Sequence, residues 1–332
     1  MWRAVVVGCG WIGSGVADDP RADGIQSHAA AYAACPDTEL AGVCDADAAC
    51  AQAAATRFGL GRGFHNLSDL LSSTRPQIVS VCTPDATHAA VLREVLNHAG
   101  VRAVIAEKPL ATDLAEARAL VELADSRGVI LAVNYSRRFA PSHIEARRRL
   151  IAGDLGMVQA VQGCYTKGIM HNGTHWFDLA QWMVGKIARV QAWSGHAGGR
   201  QPDPTCHVRM MFADGQTGFL LGLDEERYTI FEMDILGSLG RLRLMDSGVR
   251  ISWDSVADSP HFSGYRTLQP SGEIASGFKD VALRLVEDVV AALGQGRQAK
   301  CSGRDGVAAL AAADAARRSL ATGIECNVQC GS

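Results

Sequence analysis

The run Ala4-Val5-Val6-Val7-Gly8-Cys9-Gly10-Trp11-Ile12-Gly13 decides the fold. Its four apolar residues show no period, as in a strand buried on both faces. The glycines at 8, 10 and 13 then form a G-x-G-x-x-G. There they allow a tight turn, close backbone approach to a pyrophosphate, and close packing of the following helix. The N-terminus of that helix faces the phosphates. Alone the hexapeptide is a weak signal, and the strand before it strengthens it.

The fingerprint expects an acidic residue about 20 positions later, on the ribose hydroxyls. Asp45 ends the strand Leu40-Ala41-Gly42-Val43-Cys44 but comes later than that. The segment Asp18-Asp19-Pro20-Arg21-Ala22-Asp23-Gly24 reads as an insertion, since Pro20 and Gly24 break a helical pattern. Removing it restores the spacing, and Ser27 to Ala34 resumes a helix. No arginine directly follows Asp45, so NAD is expected over its 2′-phosphorylated form.

Further on, strands at 77–82, 103–106 and 129–133 alternate with helices over 47–58, 68–72, the segment from Pro84, and 114–126. Asn66 or Ser68 caps the second of these helices. The alternation predicts a parallel doubly wound sheet. The strand Ala103-Val104-Ile105-Ala106 stops at Glu107-Lys108-Pro109. Open α/β sheets bind ligands at such strand ends, and proline holds the lysine at a rigid corner. The residues alone leave a second reading open, an exposed Glu–Lys pair of little energetic weight.

After Asn134 the pattern changes. Short segments follow one another with tight turns between residues 158 and 252, and read as an open, mainly antiparallel sheet. A helix over 142–152 precedes them, one over 174–184 interrupts them, and two helices, 278–293 and 304–322, close the chain. The expected division is a dinucleotide domain over residues 1–133 and a second α/β domain over 134–332.

The chain has 332 residues, 48% of them hydrophobic and 20% charged, with a net charge of −3. That balance gives no electrostatic case for nucleic acid or an anionic membrane. No apolar run reaches the roughly 18 residues of a membrane span. Ten cysteines occur without a C-x-x-C, so no disulfide framework is implied and a cytoplasmic location is expected. Cys326 and Cys330 could form a metal or redox pair, though the plainer reading is two unrelated thiols.

The glycine loop, Val81-Cys82-Thr83-Pro84 with His88, Glu107-Lys108-Pro109, Asn134-Tyr135-Ser136-Arg137-Arg138-Phe139 and Gly173-Thr174-His175-Trp176-Phe177-Asp178 stand in one order along the chain. Together they resemble the Gfo/Idh/MocA oxidoreductases, the glucose–fructose oxidoreductase and inositol dehydrogenase type. The resemblance implies a Rossmann domain, a substrate domain on an open sheet, NAD(P), with Asp45 selecting NAD, and a homodimer or homotetramer built on that sheet. It implies hydride transfer at a ring CH–OH of a sugar, sugar nucleotide, amino-sugar glycoside or cyclitol.

By the same resemblance Gly8, Gly10, Trp11, Ile12, Gly13, Asp45, Thr83, Pro84, His88, Glu107 and Lys108 hold the cofactor. His175 is the expected base, because a group titrating near neutrality removes a hydroxyl proton best. Lys108 would polarise the same oxygen, and Glu107 would orient Lys108. Tyr165, Lys167, His171 and Asn172 would read the substrate, and Asp178 would bind a substrate hydroxyl, orient His175 or serve as a structural cap. His171 stands where the family commonly has aspartate, so it is a second candidate for the base. Gly173 argues against one helix carrying both histidines, and no metal site is assigned. The other histidines, His28 and His196 among them, are taken as ordinary. Two rivals stay open: a reductase of imines or linear tetrapyrroles, and a non-catalytic NAD-binding sensor, which would not need Lys108 and His175 together.

Overall fold

A computed structural model of the chain describes residues 1–332 except 23, 196–202, 276 and 330–332. His196 and Cys330 therefore lie outside the described residues. The chain divides into two compact units, Met1–Phe139 with Lys279–Val307, and Ala140–Phe278 with Ala308–Ser332. The sequence reading places both closing helices in the second domain. The first of them instead packs in the first unit.

In the first unit the strands are β1 (Trp2–Val7), β2 (Thr38–Cys44), β3 (Ile78–Val81), β4 (Ala103–Ala106) and β5 (Ile130–Val133). All pair in parallel, in the order β2-β1-β3-β4-β5. Every residue of β3 and β4 is buried, as strands covered by helices on both faces require. The helices are α1 (His28–Ala34), α2 (Ala48–Arg57), α3 (Leu67–Thr74), α4 (Asp85–Asn97) and α5 (Leu114–Arg127). Asp47, Asn66 and Asp113 cap α2, α3 and α5 by accepting backbone N–H groups with their side chains. Strand order reverses between β1 and β3, so ligands are expected beyond the C-terminal ends of those two strands.

The first helix differs from expectation. The glycine loop closes only one turn, with the N–H groups of Ser14 and Gly15 on Gly10 O and that of Val16 on Trp11 O. A 3₁₀ turn, Gly15–Asp18, follows. The N–H groups of His28 and Ala29 then bond back to Ile12 O (3.1 Å) and Gly13 O (3.0 Å). Helix α1 thus continues the loop's own turn, and the segment between is an excursion spliced into it. The excursion is tied down by an ion pair of Asp18 with Arg57 and by Ile25 N–H on Asp280 Oδ1 (2.8 Å).

The second unit holds α6 (Pro141–Ile151), β6 (Val158–Tyr165), α7 (Gly173–Met183), β7 (Ile187–Ser194), β8 (Cys206–Phe212), β9 (Thr217–Gly222), β10 (Phe231–Gly237), β11 (Gly240–Met245), β12 (Arg250–Asp258) and β13 (Arg266–Ile274). Helix α8 (Val281–Gln295) returns to the first unit, α9 (Gly303–Thr322) begins there and ends in the second, and β14 (Cys326–Asn327) follows. The nine strands lie in the order β13-β12-β11-β10-β6-β9-β8-β7-β14. Among the described residues of this sheet, only β6 and β9 pair in parallel. Strands β13 and β14 are not read from the sequence. Most of β13 is exposed, so its apolar signal is weak, and β14 is only two residues long.

One face of this sheet is core. Val161, Val208, Met210, Leu220, Phe231, Met233, Ile235, Leu242 and Leu244 pack there with Trp176, Phe177 and Ala180 of α7 and with Ala312, Ala313 and Ala316 of α9. The other face is open and carries Trp193, Phe219 and Leu221, each more than two-fifths exposed. Alanine on α9 lets the helix lie close to the strands. Ala316→Leu should therefore overpack this contact and destabilise the fold by about 1–3 kcal/mol. A urea midpoint equal to that of the natural chain would contradict the close approach.

Candidate active site

The candidate cofactor site of the first unit is the C-terminal edge of the parallel sheet. Gly8 has φ +96°, and a Cβ there would meet Cys82 O and Thr83 N. Only glycine relieves both constraints. A Cβ at Gly13 would run into Gly8 O, which is why the loop can close on itself. Gly10 has nothing within 4 Å of its would-be Cβ. That open space above the loop, beside a partly buried Ile12 and an exposed Trp11, suits a pyrophosphate on bare backbone.

Asp45 is half-buried at the end of β2. Its Oδ2 accepts from Cys9 N–H (2.7 Å) and its Oδ1 from Asp47 N–H (2.9 Å). A carboxylate offers about four acceptor positions, so two remain for ribose hydroxyls. At the end of β3 the Thr83 hydroxyl oxygen is buried and has no hydrogen-bond partner. Buried polar groups are rarely left so, and a bound nicotinamide carboxamide would supply the missing partner. These features fit a dinucleotide.

His88 lies on α4, fully buried, with Nδ1 2.7 Å from Pro109 O and Nε2 2.6 Å from Thr83 O. Both ring nitrogens are engaged with backbone, so His88 joins the Thr83-Pro84 corner to the Lys108-Pro109 corner. The sequence reading makes it a cofactor contact. Its polar atoms are instead taken up by the scaffold under that contact.

Lys108 follows β4 and is half-buried. The Glu107 side chain is 12% exposed, with Oε1 3.0 Å from His28 Nε2 and 2.6 Å from Asn134 Nδ2. Burial alone would push this carboxyl upward. The hydrogen bond and the charge of His28, the hydrogen bond from Asn134 and the positive charge of Lys108 outweigh it and hold the group below its ordinary value. Its ionised form therefore stabilises the fold above the ordinary carboxylate range, and this stabilisation is lost as pH falls through the lowered value. His28, taken as ordinary in the sequence, is the residue this edge conceals. Its signal is slight: His28 and Tyr32 share one face of a small, alanine-rich helix.

A separate group of candidate residues lies in the second unit. A π-helical turn, Gly168–Asn172, runs directly into α7. Gly173 has helical angles, φ −59° and ψ −38°, so it does not break the path, contrary to the sequence reading. His171 is exposed and His175 half-buried on this one helical stretch. Thr174 does not cap the helix. Its hydroxyl donates to Met170 O (3.0 Å) and His171 O (2.9 Å). The turn hangs from Asp203, whose carboxylate accepts the N–H groups of Met170 (2.8 Å) and His171 (2.9 Å). Lys167 is exposed with φ +68°, Asn172 is partly buried, and Asp178 is buried within α7. Among the described residues no cluster of three His, Cys, Asp or Glu could hold a metal ion.

Tyr165 corrects the sequence reading. It is fully buried, and its hydroxyl donates to Cys206 O (2.9 Å) and accepts from Cys206 N–H (3.0 Å). It faces the core with Val161, four residues back on the same strand, and its hydroxyl is taken up by backbone.

Residues 2–135 match the Gfo/Idh/MocA oxidoreductase family's NAD-binding Rossmann fold, and residues 168–328 match its C-terminal alpha/beta domain. Inositol 2-dehydrogenase of Rhizobium meliloti is 27% identical over 315 residues, 89% of this chain and 93% of the relative. The crystal structure of GenD2 from gentamicin A biosynthesis, in complex with NAD, is 26% identical. It superposes with a TM-score of 0.76 over 98% of this chain and 96% of that one. Levoglucosan dehydrogenase, in complex with NADH and levoglucosan, is 18% identical with a TM-score of 0.81 over 99% and 100% of the two chains, and shares the fold.

Two outcomes follow from the site. The reduced form of NAD should bind at least about tenfold tighter than its 2′-phosphorylated counterpart, on the scale of one close like-charge contact near a surface. Fluorescence titration of both cofactors measures this, and equal affinities would remove Asp45 from the ribose. Tyr165→Phe should cost about 1–3 kcal/mol of stability, because a buried N–H and C=O lose their partner. Its Michaelis constant should stay at the natural value, and a raised one would return Tyr165 to the substrate.

Proposed function

This chain belongs to the Gfo/Idh/MocA oxidoreductase family, and from that premise we propose that it is an NAD-dependent dehydrogenase of a ring secondary alcohol. The substrate class is a sugar, sugar nucleotide, amino-sugar glycoside or cyclitol. The observation that carries this reading is Lys108 beside an ionised, tightly held Glu107 at the end of β4. A fixed carboxylate beside a lysine keeps a cation ready at a strand end, where charge developing on a substrate oxygen needs stabilising. The identity with inositol 2-dehydrogenase supports a polyol ring over the imine and tetrapyrrole reading.

In this proposal the glycine loop, Asp45, Thr83 and Pro84 hold NAD. When bound, NAD supplies the acceptor for the hydrogen that leaves carbon with its electron pair. His175 takes the hydroxyl proton, and Lys108 polarises the oxygen that carries it. Lys167, His171 and Asn172 bind neighbouring hydroxyls. His171 stays the alternative base, since a continuous helical path presents it one turn before His175. The exposed Trp193, Phe219 and Leu221 support a homodimer or homotetramer through the open sheet face. The nine free cysteines among the described residues support a reducing compartment such as the cytoplasm.

Lys108→Ala should cut turnover by roughly 10² or more, the scale of a lost acid–base or charge-stabilising group, while leaving cofactor affinity near normal. His175→Ala should lose most of the turnover and the acidic limb of the rate–pH profile. His171→Ala should mainly raise the Michaelis constant. A screen of sugars and cyclitols, followed by absorbance of the reduced cofactor, supplies the substrate. A Lys108→Ala variant with near-normal turnover would end this reading. If instead His171→Ala loses the acidic limb, the two histidines exchange roles.

A further inference from the structure

A helix leaves its first four N–H groups without a partner inside itself. The helical path that carries His171 and His175 starts at Gly168, because its first internal bonds are Asn172 N–H on Lys167 O (3.4 Å) and Gly173 N–H on Gly168 O. Its four orphan donors are therefore those of residues 168–171. All four are satisfied from three consecutive residues just before β8. Gly168 N–H donates to Thr205 Oγ1 (2.9 Å) and Ile169 N–H to Pro204 O (3.0 Å). Met170 N–H and His171 N–H donate to the two carboxylate oxygens of Asp203, at 2.8 and 2.9 Å.

The chain is shaped for this cap. Lys167 and Gly168 both have positive φ, +68° and +77°, and so turn the end of β6 sharply into the helix. A Cβ at Gly168 would run into Asp203 Oδ2, so only glycine leaves room for the carboxylate.

Free N–H groups at a helix start form a ready site for phosphate, sulfate or carboxylate groups. None is left free here. The chain's own carboxylate holds the two donors nearest the exposed His171, which are the ones a ligand anion would use.

We infer that Asp203 is a specificity-determining residue: it closes the helix start beside His171 to anions, so a substrate meets this end through hydroxyl or ammonium groups and not through a phosphate or carboxylate. The inference rests on the proposed place of His171 and His175 at the substrate. It narrows the ring that reaches these histidines to a neutral polyol or sugar, or an amino sugar.

Hydrogen exchange of the NAD-loaded, full-length chain, resolved to single amides by mass spectrometry, reads the cap directly. Bound NAD covers the glycine loop, so an added anion does not act there. The probe is sodium sulfate, compared with sodium chloride at equal ionic strength. In the natural chain sulfate should leave exchange at Met170 and His171 unchanged. Asp203→Ala should speed both amides by about tenfold or more, the scale of one lost hydrogen bond to a charged group. Sulfate should then slow them again by at least about twofold, as the opened helix start takes up the anion. Asp203→Asn keeps one acceptor oxygen, so one of the two amides should speed, and this variant serves if the alanine variant does not fold. Thr205→Val should free Gly168 alone and bring no sulfate response at Met170 or His171.

A second arm compares glucose and glucosamine with glucuronate and glucose 6-phosphate by absorbance of the reduced cofactor. The anionic sugars should be oxidised at least about tenfold more slowly than glucose, the scale of one close like-charge contact near a surface. Sulfate protection of Met170 or His171 in the natural chain would overturn the inference. Natural exchange rates in the alanine and asparagine variants would do so too, as would faster oxidation of an anionic sugar than of glucose. A chain that oxidises no sugar or cyclitol fails the dehydrogenase reading, and the exchange arm still decides whether Asp203 closes the helix start.

Discussion

A carboxylate that is only 12% exposed at the end of a buried strand is the constraint on which the first unit depends. Taking Glu107 out of water costs several kcal/mol unless donors replace that water. The donors come from elements far apart in the chain: His28 on α1 and Asn134 after β5. Ser80 of β3 then orients His28 from below. One anion therefore fixes the relative positions of a helix and three strand ends. His88 does the same for the turns beside it, joining Thr83 to Pro109 through its two ring nitrogens. The cofactor edge of the sheet is thus built on two buried histidines, neither of which needs to touch the cofactor.

Much of this was legible in the sequence because parallel sheets write a simple code. Strands buried on both faces are apolar without period, and their ends carry the polar residues that meet ligands. The glycine loop, Asp45, Thr83-Pro84 and Glu107-Lys108-Pro109 all follow that code. The excursion between the loop and α1 was legible too, from Pro20 and Gly24. What could not be read was that α1 resumes the loop's own hydrogen bonds at His28 and Ala29. Without that splice His28 has no evident reason to lie under Glu107, so it passed as an ordinary histidine.

The second unit was less legible for two reasons. Its sheet is apolar on one face, so assignment depends on counting by twos, and Tyr165 was judged by its neighbours in the chain. Counting from Val161 places it in the core, where its hydroxyl closes on Cys206. The other reason is Gly173. Glycine weakens a helix by roughly 1 kcal/mol relative to alanine, which made a break at that point reasonable. Ile169 explains the residue instead: its side chain fills the space a Cβ at Gly173 would need. Packing chose glycine there, and the backbone stayed helical.

That continuity bears on how the two histidines differ. Both stand on one path, yet they are supported unequally. The backbone N–H of His171 is held by Asp203, a residue of the segment leading into β8. His175 sits inside α7, between the buried Thr174 and Trp176, and Trp176 is anchored by its Nε1–H on Glu232 O (3.0 Å). A proton acceptor needs its position set to a fraction of an ångström. The packed helix fixes the backbone of His175, which fits the role proposed for it. His171 is exposed on the turn before it, whose backbone N–H groups are taken up by Asp203, Pro204 and Thr205.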